Sequence, residues 1–110
     1  MSDPATEFAG LQPMHGSVVL LKEGGQHVAL LPAFGFVAGG VSRRMDLVLV
    51  PFLHSGYVTR LFFAQQIDGR GSNWTQHRVV ERIWWAPSWN NVPPTLKWTQ
   101  MISAHLRAVA

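Results

Sequence analysis

The sequence predicts an α+β domain: an antiparallel β-meander of four to five strands with a C-terminal amphipathic helix packed on one face. Three observations carry this prediction. Short β-rich runs are separated by glycine-bearing turns at Glu23-Gly24-Gly25, Gly39-Gly40 and His54-Ser55-Gly56. The run DLVLVP at 46–51 is apolar without alternation, as expected of a central strand buried on both faces. Finally, Trp98, Met101, Ile102, His105, Leu106 and Val109 fall at the three-and-four spacing of one helical face.

Taken in order, residues 1–16 carry Pro4, Gly10, Pro13 and Gly16 and read as a flexible or irregular lead-in, with Phe8 and Leu11 as anchors. Residues 17–110 form a single domain. SVVLLK at 17–22 and HVALL at 27–31 make a hairpin across the Gly-Gly turn, and Pro32 ends its second run. Residues 32–45 form an extended segment with Phe34 and Phe36 toward one side. The run 57–65 pairs with the central strand, placing Tyr57, Thr59, Leu61 and Phe63 on one face and Val58, Arg60 and Phe62 on the other. IDGRGS at 67–72 is an exposed loop. VVERIWW at 79–85 reads as the last strand, closed by Pro87, with adjacent Trp84 and Trp85 on opposite sides. Pro93 and Pro94 suit the first turn of the final helix, with Asn90 or Asn91 capping or preceding it.

Composition narrows the chemistry. With 110 residues, 47% of them hydrophobic and 14% charged, the chain supports one core. There is no cysteine, which excludes disulfides, thiolate metal sites and a thiol nucleophile. Nine Lys and Arg against six Asp and Glu give +3, without the dense run that marks a nucleic-acid or membrane patch. The start of the chain has no basic-then-apolar leader and no apolar stretch near 18 residues occurs, so a cytoplasmic protein is expected. No phosphate-binding loop, Gly-x-Ser-x-Gly or His-Glu-x-x-His is present, and no cofactor is implied. The five histidines fall at intervals unlike a zinc pattern, so no metal is expected either.

The stretch 73–91, NWTQHRVVERIWWAPSWNN, concentrates the unusual side chains and holds four of the five tryptophans. His27, in a strand, and His105, on the apolar helix face, read as hydrogen-bonded core or boundary residues. His54 and His77 lie in or beside turns, where a ring meets solvent and titrates near neutral pH. Trp74, Trp84, Trp85 and Trp89 fit two uses. They stack on bases beside phosphate-binding Arg70, Arg78 and Arg82, or they fill the core and dock a partner. The second use is favoured, because a small domain needs large side chains to seal its sheet. At least one of Trp84 and Trp85 lies outside the central core and marks a contact surface, and the pair also admits a homodimer.

A strand ending Val50-Pro51, a Gly56-Tyr57 entry, a Trp-x-x-His-Arg element at Trp74, His77 and Arg78, a Trp-x-Pro element at Trp85 and Pro87, and a closing helix follow one another over residues 27–109. This order of parts resembles the bacterial E-type branch of the ubiquitin-conjugating-enzyme-like (UBC-like) superfamily. The resemblance implies a protein that works beside a ubiquitin-activating-like adenylating enzyme and a small ubiquitin-like modifier. A typical conjugating enzyme carries the modifier on a cysteine, with a His-Pro-Asn tripeptide upstream. This chain has neither, so the thioester mechanism is excluded.

Two roles remain within the resemblance. In the first, a hydroxyl of Ser72, Thr75 or Ser88 takes the modifier as an oxyester with His77 as its base. Ser55 beside His54 is a weaker pairing, because strand neighbours face apart and only a turn brings them together. The second role is a non-catalytic adaptor that binds the modifier or the activating enzyme, with Trp74, Arg78, Trp84, Trp85, Trp89 and His54 as contacts. Outside the resemblance stand another small α+β interaction module and a single-stranded nucleic-acid binder built on the Trp and Arg side chains.

Overall fold

A computed structural model of the chain describes residues 3–110. The elements run α1 (Pro4–Leu11), β1 (Val19–Glu23), β2 (Gln26–Ala38), β3 (Val41–Val50), β4 (Arg60–Phe63), β5 (Thr75–Val79), β6 (Arg82–Ala86) and α2 (Trp98–Arg107). All six strands form one antiparallel sheet in the order β1-β2-β3-β4-β6-β5. The first four strands are a meander in chain order. β6 then adds beside β4 and leaves β5 at the edge.

Six strands exceed the four to five expected, and the cause is local. The run 79–85 is not one strand, because a two-residue turn at Val80-Glu81 splits it. Both turn residues are left-handed, with φ of 45° and 62°. That is the primed geometry whose twist suits a hairpin. It ordinarily selects glycine or asparagine, so VVERIWW shows no turn signal. Glu81→Gly should relieve the left-handed backbone and stabilise the fold by about 1 kcal/mol. A higher urea midpoint at unchanged m-value would register it.

Pro32 does not end β2. The strand continues to Ala38 and its register against β3 shifts between Leu31 and Phe34. This bulge accommodates a proline that cannot donate to the ladder. Asp46 Oδ1 accepts the Ala33 N–H at 2.7 Å, and Arg44 donates to the Ala33 carbonyl at 2.9 Å. Side chains of β3 thus satisfy backbone groups at the irregularity.

Within the first sixteen residues, Pro4–Leu11 is helical rather than irregular. Asp3 Oδ2 accepts the Thr6 N–H at 3.1 Å as an N-cap, and Pro4 stands in the first turn. Leu11 is fully buried, and Glu7 Oε1 accepts the Trp98 N–H at 2.8 Å. α1 therefore caps α2. That helix starts at Trp98, so Pro93 and Pro94 lie in the loop before it and Lys97 occupies the cap position instead of Asn90 or Asn91. Glu7→Ala should lower stability by about 1 kcal/mol, the ordinary cost of a lost cap; thermal unfolding of the variant measures it.

The sheet is buried on both faces, as the unbroken burial of Leu47 to Val50 requires. On one face Leu31, Leu49, Leu61 and Phe63 pack against Leu11, Trp98, Met101 and Ile102 of the helices. On the other, Val28, Val48, Val50, Phe62 and Trp84 form a second cluster without any helix. Curling closes it: the Val80 N–H at the β5–β6 turn donates to the Glu23 carboxylate at the end of β1, across the whole strand order. Among the described residues, no helix is long and apolar enough to cross a membrane.

Candidate functional site

The second face carries a polar cluster beside its apolar residues. Strand alternation sends Arg60 and Phe62 to that face. The registers Phe63↔Trp85, His77↔Trp84 and Thr75↔Ala86 bring Thr75 and His77 to the same side. Ahead of β4, His54 and Tyr57 exchange both backbone hydrogen bonds at 2.9 Å around Ser55 and Gly56, whose φ values are 51° and 85°. The turn takes up the start of the run 57–65, of which Arg60–Phe63 is strand. It also carries the His54 ring to 5.3 Å from Phe62 and 5.8 Å from His77, centroid to centroid. Asn90 Oδ1 accepts the Val58 N–H at 3.0 Å and so ties the tryptophan-rich segment to the turn.

Arg60 is the centre of this cluster. It is 3% exposed, and its guanidinium carbon lies 3.9 Å from the centroid of the Tyr57 ring. Its terminal nitrogens donate to His77 Nε2 at 3.2 Å, Thr75 Oγ1 at 3.5 Å and the Pro87 carbonyl at 3.4 Å. Nε is buried without a partner. The one ion pair among the described residues joins Arg82 to Asp46 at 2.8 Å, so no carboxylate neutralises Arg60. Burial lowers its pKa and the Tyr57 oxygen opposes that shift, but a guanidinium stays charged at any physiological pH. The result is an unneutralised buried cation, held by a cation–π contact and long hydrogen bonds.

The cation dictates the state of its neighbours. A guanidinium has only donors, so His77 Nε2 must be an unprotonated acceptor and the ring proton sits on Nδ1. Thr75 Oγ1 lies 2.7 Å from the same Nε2 and directs its hydroxyl proton there. Burial, then Arg60, then His54 hold His77 below the usual histidine pKa. Burial and Arg60 do the same to His54, against a smaller opposing pull from Glu23. Ser55 Oγ stands 3.1 Å from His54 Nδ1. Two hydroxyl–imidazole pairs therefore flank one guanidinium. The arrangement can activate a hydroxyl, stabilise a developing oxyanion or hold an anion outright.

Behind Arg60, on the helix side, Thr59 donates to the Val92 carbonyl at 2.7 Å and must therefore accept from His105 Nε2 at 2.9 Å. His105 is a neutral core residue, its pKa pushed down to about 4 by burial and by Arg60. His15 meets the Pro32 carbonyl at 2.6 Å through its Nε2.

Of the residues singled out in the sequence, His54, Thr75 and His77 come together, with Ser55 beside them. Ser72 does not join them: its carbonyl accepts the Ser88 N–H at 2.8 Å, and no hydrogen bond links its side chain to the cluster. Ser88 is likewise engaged elsewhere, its hydroxyl facing the Asn73 carbonyl at 3.4 Å. Trp74 belongs to the helix-side packing, edge-on to Phe63, with its indole N–H on the Arg70 carbonyl at 2.6 Å. Arg78 is exposed and alternates away from His77.

Trp84 is no contact residue. It is fully buried, donates to the Val79 carbonyl at 2.9 Å and is covered by Arg82 at 4.4 Å, because the curled sheet encloses its face. Trp85 is half-buried and Trp89 is the exposed one of the set. Arg60 and Tyr57 are the site residues that sequence reasoning missed. The available signal was the placement of Arg60 on the same strand face as Phe62, where a charge is out of place.

No protein-family model, curated protein or solved structure matches the chain.

Proposed function

We propose that the chain is a UBC-like component of a bacterial ubiquitin-like modification pathway, acting as an adaptor that holds the ubiquitin-like modifier, its activating-like enzyme, or both. One observation carries the reading. Tyr57 and His77, one residue from each of two separate elements behind the family resemblance, are distant in the chain yet meet on Arg60 in one polar cluster. The element order lends support, with a four-strand meander in chain order followed by a helix returning to one face. A cytoplasmic setting accords with a pathway driven by ATP.

Oxyester transfer is the second reading, favoured by the 2.7 Å Thr75–His77 pair. Thr75 Oγ1 would attack the carbonyl of the modifier's acyl-adenylate, its proton would pass to His77 Nε2, and AMP would leave. The adaptor is preferred because the same cation that could stabilise the oxyanion lowers the basicity of His77. A nucleic-acid platform has less to draw on. Trp74 and Trp84 are committed inside the fold, Arg82 to Asp46, and Arg70 to the Ala110 carbonyl at 3.1 Å.

Purification of the tagged chain from its native cells should recover an adenylating enzyme of the ubiquitin-activating type, a ubiquitin-like modifier, or both. Recovery of neither removes the proposal. Incubation of the recovered proteins with ATP then separates the roles: a base-labile adduct lost in Thr75→Val marks a transferase, and binding without an adduct marks an adaptor.

A further inference from the structure

We infer that the Arg60 cluster is a binding site for a free carboxylate. The ligand class follows from the geometry of the cluster and not from the pathway assignment, so either can fail without the other. Arg60 is 3% exposed, has no carboxylate partner, leaves Nε unbonded and makes no hydrogen bond shorter than 3.2 Å. A buried guanidinium in this condition lacks the planar two-oxygen acceptor that its fork of N–H groups matches. Above it stand the exposed hydroxyls of Thr75 and Ser55 and the half-buried rings of His54 and His77, all able to turn donors toward an anion.

The local charge selects a monoanion. Glu23 closes one side of the cluster through its bond to the Val80 N–H, so the site already has a carboxylate at its margin. A phosphate dianion would meet that repulsion with a single full positive charge to oppose it. A carboxylate instead matches Arg60 one for one, and its two oxygens suit a guanidinium edge on one side and a hydroxyl on the other.

Bound anion and bound proton are linked at this site. The charged and titratable groups around the imidazoles are Glu23 from β1, Tyr57 from the turn and Arg60 from β4, together with His54 and His77 themselves, while His105 from α2 lies behind Arg60 on the helix side. Arg60 is the shared cation that disfavours protonation of all three rings. A carboxylate that neutralises it must raise the histidine titration midpoints, and by reciprocity protonation must tighten the carboxylate.

The test is an NMR pH titration of the histidine rings in the full chain under four conditions: no addition, acetate, a Gly-Gly-terminated peptide with a free carboxylate, and the same peptide amidated. The expected result is a rise of about one pH unit in the midpoints of His54 and His77 with a free carboxylate and none with the amide. Tighter binding of the peptide than of acetate assigns the ligand as a polypeptide C-terminus; the reverse assigns a small carboxylic acid. Because Arg60 is buried and its replacement risks the fold, Thr75→Val provides the variant. Loss of its exposed hydroxyl should weaken the effect about tenfold, one charge-assisted hydrogen bond. Unmoved midpoints with both carboxylates, an equal response to the amide, or undiminished binding by Thr75→Val would each overturn the site.

Discussion

Trp84→Ala should lower the stability of the protein by about 3–5 kcal/mol, the cost of emptying a large aromatic position in a packed core. Trp84 is the largest of the fully buried side chains and sits among Val48, Val50 and Phe62 on the sheet face that carries no helix. That face has nothing but the curl of the sheet to close it, so a void there cannot be filled by a shifting helix. Its indole N–H also satisfies the Val79 carbonyl, and its ring supports Arg82, which in turn holds Asp46. Trp89→Ala, at a tryptophan 36% exposed, should cost distinctly less, about 1–2 kcal/mol. Urea unfolding of both variants makes the comparison. Similar, small losses would mean that the two residues are both surface contacts.

Acid should destabilise the fold through His105. Its pKa is about 4 in the native state and ordinarily near 6.5 in an unfolded chain. Above pH 6.5 the ring is neutral in both states and the native bond to Thr59 is intact. Between pH 6.5 and 4 the unfolded chain binds a proton that the native chain refuses, so stability falls as pH falls, by about 3 kcal/mol in all. His54 and His77 are shifted in the same direction and add to the slope. His105→Gln keeps an N–H for Thr59 but removes the titration. Unfolding free energies of this variant at pH 7 and pH 4.5 should differ less than those of the parent by most of the His105 contribution; an unaltered difference would show that the acid sensitivity lies elsewhere.

The parts of the fold that were legible in the sequence are those whose signal is periodic. The unbroken apolar run before Pro51 marked the central strand, and the spacing of Trp98, Met101, Ile102 and His105 marked the buried face of α2. Elements defined by backbone conformation escaped notice. Val80 and Glu81 adopt a left-handed turn that their side chains do not advertise. Pro32 lies within a strand because the bulge beside it donates the Ala33 N–H to Asp46 and accepts from Arg44 at the Ala33 carbonyl. α1 did carry signals, with Asp3 as cap, Pro4 in the first turn and Glu7 in the acidic position, but Gly10, Pro13 and Gly16 nearby obscured them.

The site divides in the same way. Thr75 and His77 are two apart in a strand, so their shared face follows from pleat alone. His54 and Ser55 meet through the tight turn that their pairing required. Arg60 was invisible as a centre because its neighbours come from β5 and the 54–57 turn. The step from β4 to β6 and then back to β5 is a topological fact that no local pattern records.

The most direct test of the cluster as the functional centre is quantitative capture of the ubiquitin-like modifier and the adenylating enzyme by the parent chain and by a Thr75→Val/His77→Gln variant. The variant should keep the circular dichroism of the parent and remain folded at the assay temperature, with a lower melting temperature because Arg60 loses partners, yet lose about tenfold or more in capture. Equal capture by the two chains, or none by the parent, would contradict the account.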